Sequence, residues 1–519
     1  MKHPSLQNEP SDLIAGKFVR PDGARIHSTN PARPDATVWD GASSVAQVDK
    51  AVAAARAALP AWSRAPIEKR VAALRRFQKI CDSKVDAIAT LIRDETGKVM
   101  WDSKAEAGLL GAKVDITLDS SEIGAMRRVS GYEIDLAATR KGRAWFRPHG
   151  VMAVLGPFNF PAHLPNGHII PALAMGNTIV LKPSDKTPAV GQLLGELYQE
   201  ALAAEGFGAG VVNVIQGGVD VAKKLSAHPD LDGILFTGSW PVGRAIMEAN
   251  LDNPGRMLAL EMGGNNAAVI LDDADLKQAV IECVRCAFIT TGQRCTCTRR
   301  VIVQKGVAEK VISAICKSAS NLIIGDPAAT HPVFMGPLIS RGARAGVLQA
   351  QEQFIRAGAE VLLKSVAIDE PAPTPGGHYI SPGILKVDTF VADDAPGFAG
   401  SDTEVFGPLL RISVVDSLDD AISQANATKY GLAASIFSKS PASIERFLAE
   451  ARAGCVNVNA GTAGASSKLP FGGLGHSGNH RPAGSFSLDY CAYPVAGMLE
   501  NGTAATISAG MRVEDAWLS

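Results

Sequence analysis

Apolar residues recur at helical spacing early in the chain. Val45, Val48, Val52 and Leu59 follow Ser43 and Ser44, which are candidate caps, and Ile67, Val71, Leu74, Phe77 and Cys81 mark a second stripe. Gly97 is the predicted stop of that helical region, and the first third of the chain reads as mostly helical. The period then changes. VMAVLGP, TIVLKP, VVNVIQGG and GILFTGS are short apolar runs that each end in Gly, Pro or a polar turn, and AVGQLLGELYQEALAAEG between two of them reads as a helix. Strands alternating with helices predict a parallel sheet covered on both faces. A second alternating block starts near Asn266 and runs through RRVIVQ, LLRISVV, LAASIFS and GCVNVNA, which predicts a second α/β domain. DEPAPTPGG at 369–377 reads as a surface loop. Residues 129–149 are a candidate strand or hairpin arm and 483–500 an apolar tail, both suited to a subunit contact.

Length and composition narrow the class. A chain of 519 residues, 46% of them hydrophobic, exceeds one simple core, so two or three domains are expected. The net charge of −1 offers no basic field for nucleic acid or an anionic membrane surface. Val151 to Leu181 lacks Asp, Glu, Lys and Arg, but Pro157, Pro161, Pro165 and Pro171 interrupt it. A bilayer would leave the freed backbone groups unsatisfied, so the segment reads as strand, turn, helix, turn, strand. The first residues lack the apolar run of a signal peptide, and eight unevenly spaced cysteines suit a reducing compartment, so a cytoplasmic location is expected.

The stretch IECVRCAFITTGQRCTCTRR holds four of the eight cysteines. Cys283 and Cys286 fall in an apolar-periodic helix and read as core. C-x-C is a poor second pair for zinc and no His lies nearby, so no metal site is expected. Cys295 differs, because it follows the Gly-containing break TTGQR. A thiol there can be exposed among backbone N–H groups, with Arg294 lowering its pKa, and a thiolate is the nucleophilic form. Cys297 reads as structural.

GPFNFP, GNTIVLKPSDKTP, FTGSWPVG, LEMGGNN, GQRC, EVFGPLL and PFGGLGHSG occur in that order. Together they resemble the aldehyde dehydrogenase superfamily over nearly the whole chain. The resemblance implies two doubly wound parallel-sheet domains and a small oligomerisation arm. It divides the chain into an NAD-binding domain (1–128 and 150–260), a catalytic domain (261–460) and oligomerisation segments (129–149 and 483–500), with a homodimer or dimer of dimers expected. NFPAHLPNGHIIPALAMGN and SGNHRP are closest to the branch that oxidises N-succinyl-L-glutamate 5-semialdehyde in arginine catabolism. Another acidic or amino semialdehyde, such as glutamate semialdehyde, is the alternative.

Roles follow from the resemblance. Cys295 is the expected nucleophile, Asn159 an oxyanion donor and Glu261 the base that releases the acid. Members that pass the acyl group to coenzyme A generally lack this glutamate, so hydrolysis is expected. Burial after an apolar run would raise the pKa of Glu261. Gly238, Ser239 and Gly243 open a helix after a strand, where N–H groups meet a pyrophosphate. Lys182 and Asp185 match the adenosine-ribose pair, and a carboxylate there favours NAD over NADP. Glu404 and Phe406 match the positions that hold the nicotinamide ribose and ring, and PFGG (470–473) the wall beside it. Two substrate carboxylates call for cations or N–H donors, for which His163, His168, Arg294, His480 and Arg481 are candidates.

Overall fold

A computed structural model describes residues 2–369, 372–393, 397–503 and 505–519. Two seven-stranded sheets dominate it. The first has Val151–Leu155 at its centre, flanked by Gly233–Thr237 and Met257–Glu261 on one side and by Thr178–Lys182 and Val212–Val214 on the other, all parallel. A hairpin, Asp12–Ile14 with Lys17–Val19, closes that edge in antiparallel register. The second sheet runs through Gly383–Lys386, Leu409–Val415, Thr298–Gln304, Asn266–Ile270, Ala433–Phe437 and Cys455–Val458 in parallel, with Glu360–Leu363 antiparallel at one edge.

The central strands are buried at every position (VMAVL, TIVLK, GILFT), because helices cover both faces of a parallel sheet. The Pro-interrupted segment is strand Val151–Leu155, helix His163–Met175 and strand Thr178–Lys182. Gly176 ends that helix at φ 96°, a left-handed conformation open to glycine. No helix among the described residues is long and apolar enough to cross a membrane. Only four residues separate Glu261, the last of the first sheet's edge strand, from Asn266, the first of a central strand of the second. The site is built at that junction, outside the carboxyl ends of parallel strands.

Several expectations need correction. The helix predicted after Ser43 and Ser44 spans Ala46–Arg64, and Val45 caps it without a side-chain bond. Gly97 does stop the helical region as expected, but the region is two helices, Ile67–Ser83 and Val85–Thr96, rather than one. The first third is less helical than its pattern suggests: Ala24–Asn30 and Arg33–Ser43 form a long hairpin besides the short one. Residues 370 and 371 of the expected 369–377 loop lie outside the described residues. Around them Asp369 meets Arg344 at 2.7 Å, and Thr374 is buried beside Tyr379 (2.9 Å). Tyr132–Asp135, Arg140–Pro148 and Ala492–Glu500 form a separate three-stranded antiparallel sheet, with Tyr132, Ile134 and Met498 exposed.

Candidate active site

Cys295 sits on a backbone bent for the purpose. The helix Leu276–Phe288 ends, and Thr290, Thr291 and Gly292 follow with φ of 54°, 53° and 72°. Two consecutive left-handed threonines are strained and persist only where surrounding contacts over-determine them. Those contacts are present. Thr290 donates to Asp102 (2.6 Å), Thr291 to the Gly336 carbonyl (2.8 Å), and Gly292 lies where a Cβ would stand 2.2 Å from the Gly407 carbonyl. Asn266 Nδ2 donates to both the Cys295 and Cys297 carbonyls, at 2.7 and 2.8 Å. The result turns the Cys295 thiol, half-buried, into a cavity of about 490 Å³.

Glu261 lines the same cavity from the end of its edge strand. The carboxyl is buried, and its Oε2 has no hydrogen-bond partner. Burial alone pushes its pKa well above the usual carboxylate range, as the sequence predicts. A Cβ on Gly472 would stand 2.9 Å from Oε1, so the PFGG turn forms the wall over this carboxyl. Buried Asn159, in the turn after Val151–Leu155, donates through Nδ2 to the Gln293 carbonyl at 2.9 Å, two residues before Cys295. The three candidate reacting groups therefore converge from distant parts of the chain.

The thiol does not behave as the sequence suggests. Burial, with the Glu404 and Glu261 charges beside it, pushes it up to about 12. Arg294 does not offset this, because its guanidinium is spent on the buried Asp102 carboxylate (2.6 Å) and on Thr290 (2.7 Å). The other cysteines of the stretch are core: Cys283, Cys286 and Cys297 are all buried.

The neighbouring glycines are explained by Glu404. Its Oε1 accepts from the Gly264 N–H (3.0 Å), and a Cβ on Gly263 would fall 1.9 Å from Oε2. Phe406, close by in the chain, meets Phe158 edge-to-face at 5.8 Å. Gly238 follows the strand Gly233–Thr237, and Ser239 caps the helix Trp240–Glu248 without a side-chain bond, which leaves its hydroxyl and the first N–H groups for an anion. A Cβ on Gly243 would strike Met262 at 2.2 Å, so this glycine lets the helix close on the strand end. Trp240 stacks on His476 at 3.9 Å. The buried Lys182 ammonium donates to the Pro183 carbonyl (2.9 Å), and Asp185 is half-exposed beside Lys186. A spare hydroxyl, free helix N–H groups, a buried ammonium and the Glu404 carboxylate suit a phosphate-bearing dinucleotide.

The substrate candidates divide. His168 lines the cavity, but both ring nitrogens are engaged, Nδ1 with Tyr490 (2.8 Å) and Nε2 with Thr237 (3.1 Å). Burial and the nearby Lys113 charge lower His163 and His168 to about 3, so both are neutral rings rather than cations. Arg294 lines the cavity with its charge already paired. His480 and Arg481 are not on this cavity, because the backbone turns there (His480 φ 60°) and sends both to a separate cleft with His149 and Tyr493. Lys113, on the helix Met100–Leu118, lines the cavity and is buried, and nothing in the sequence singles it out beyond a charge on a helix. The same holds for Asp102, while Asn266, which ends LEMGGNN, had that motif as its signal.

The model of the aldehyde dehydrogenase family matches residues 18–494. The N-succinylglutamate 5-semialdehyde dehydrogenase of Novosphingobium aromaticivorans is 42% identical over 489 residues, covering 94% of this chain and 99% of that protein. The N-succinylglutamate 5-semialdehyde dehydrogenase 2 of Caulobacter vibrioides is 44% identical, covering 93% and 95%. Among solved structures, PnpE in complex with nicotinamide adenine dinucleotide superposes with a TM-score of 0.88 at 30% identity, over 98% of this chain and 100% of that one. The strained Cys295 turn, the buried Glu261 and the sheet junction that joins them are thus features of a chain that belongs to the aldehyde dehydrogenase family.

Proposed function

We propose that the protein oxidises N-succinyl-L-glutamate 5-semialdehyde to N-succinyl-L-glutamate with NAD, in the succinyltransferase route of arginine catabolism. The observation that carries the chemistry is a half-buried thiol and a buried carboxyl with an unpartnered oxygen on one cavity, with the Asn159 amide held to the backbone two residues before the thiol. The substrate rests on the shared name of the two relatives above.

The Cys295 thiol loses its proton as sulfur adds to the aldehyde carbon, and Glu261 is the carboxylate on the same cavity that accepts it. The carbonyl oxygen gains the charge. Asn159 has spent one amide hydrogen on Gln293, so the second, with the Cys295 N–H, is left to stabilise that oxyanion. Bound NAD supplies the hydride acceptor that leaves a thioester on Cys295. Glu261 releases the first proton to solvent and, ionised, takes a proton from water, whose oxygen attacks the thioester carbon and expels the Cys295 thiolate. Lys182, Ser239, Gly243 and Glu404 would hold the dinucleotide, and the Asp185 carboxylate would accept ribose hydroxyls and repel a 2′-phosphate. The exposed sheet of 129–149 and 483–500 would join two copies as a dimer or dimer of dimers.

Purified protein mixed with NAD and the semialdehyde should form NADH and N-succinylglutamate in equal amounts. A panel including glutamate semialdehyde ranks substrates by kcat/KM. Better turnover of another aldehyde would overturn the substrate and leave the reaction class.

A further inference from the structure

We infer that Lys113 is the specificity-determining residue that takes a carboxylate of the substrate, an inference that rests on the proposed acidic semialdehyde. Charges around the cavity can be matched one by one. Lys98 is paired with Glu106 and Arg294 with Asp102, both partners buried. Lys468, on the rim and exposed, acts on Asp119. Lys113 alone of these is 2% exposed and has no carboxylate within ion-pair distance among the described residues. Its Nζ donates to the Gly484 carbonyl (2.7 Å) and the Ser487 hydroxyl (2.9 Å), two neutral acceptors, so the third N–H is unassigned.

An ammonium held in a cavity without a counter-ion is costly in the empty enzyme, and an anion that enters relieves the cost. The same cavity holds apolar Leu109, Ile116 and Phe471 for a carbon chain, with Cys295 among its lining residues. A chain that presents its aldehyde to Cys295 and its carboxylate to Lys113 would satisfy both. A neutral aldehyde of the same length would leave the ammonium uncompensated.

The test compares Lys113→Met and Lys113→Arg with the parent enzyme on N-succinylglutamate semialdehyde and on hexanal. Lys113→Met should lower kcat/KM for the acidic aldehyde by about 100-fold, mainly through KM, because one charge-assisted contact is lost. The ratio of acidic to neutral kcat/KM should fall by at least about 10-fold, and Lys113→Arg should recover part of it. An equal loss on both aldehydes, or no fall in the ratio, overturns the inference. Lys113→Gln serves the same comparison if the Met variant does not fold. If the parent enzyme prefers another acidic aldehyde, the proposed substrate fails, and the ratio measured with that acid still judges Lys113. A parent enzyme with no preference for any acidic aldehyde overturns both.

Discussion

Arg294 and Asp102 lie 192 residues apart in sequence, yet the guanidinium meets the carboxylate at 2.6 Å, with Asp102 only 2% exposed in its side chain. The pair pins the strained turn before Cys295 to the helix Met100–Leu118. That same helix carries Lys113 into the cavity, so one element both shapes the nucleophile's loop and lines the substrate space.

Removing one partner of this pair should be costly. Asp102→Ala leaves a largely buried guanidinium uncompensated and frees Thr290, so unfolding in urea should show a loss of about 3–5 kcal/mol. Turnover should fall as well, because the left-handed threonines lose an anchor. A loss below about 1 kcal/mol would show that the pair is ordinary surface pairing.

Cys295→Ala should form no NADH, since no other described thiol on the cavity can add to the carbonyl. Stopped-flow absorbance on stoichiometric enzyme checks this. In the parent enzyme an alkylating reagent should react at Cys295 slowly at neutral pH, because the thiol is pushed up to about 12.

Glu261→Gln should slow the first NADH, because the thiol loses its proton acceptor, and should reduce steady turnover by about 100-fold or more, because water loses its base. A variant that keeps the parent's steady rate would remove the base assignment. In the parent enzyme, only ionised Glu261 accepts a proton. Because burial raises its pKa, turnover should climb with pH above the ordinary carboxylate range.

The His168 ring predicts a pH-dependent stability. Its folded pKa is lowered from 6.5 to about 3. Above 6.5 both states are neutral and the ring's contribution is fully present. Below it the unfolded ring binds a proton that the folded ring refuses, so stability is lost as pH falls from about 6.5 toward about 3, by up to about 1.4 kcal/mol per pH unit. The difference in unfolding free energy between the parent and His168→Asn should therefore be flat above pH 7 and shrink below 6. A flat difference across both ranges would mean the ring titrates normally.

If Asp185 repels a 2′-phosphate as proposed, Asp185→Ser should raise kcat/KM with NADP relative to NAD. Initial rates with each cofactor measure the ratio of kcat/KM. A ratio unchanged by the substitution would place cofactor choice elsewhere.

Much of the site was legible because its parts are local. GPFNFP, FTGSWPVG, LEMGGNN and GQRC each lie at a strand end or helix break, where short-range turn chemistry fixes the backbone and leaves a recognisable wording. The buried strands were legible because their apolar runs are continuous. The hairpin Ala24–Ser43 was missed because its strands are rich in polar residues and mix buried with exposed positions in no regular alternation.

The sequence by itself determined two parallel α/β sheets and the family they belong to, and singled out a thiol, an amide and a carboxyl as candidate reacting groups. Tertiary structure decided the charges. It paired Arg294 with a distant aspartate, withdrew His480 and Arg481 to another cleft, neutralised the histidines and left Lys113 with no carboxylate partner among the described residues. The reason is that a residue's identity fixes which charge it can carry. Which partner meets it, and how much water remains, depends on segments hundreds of residues away, and those set its energy.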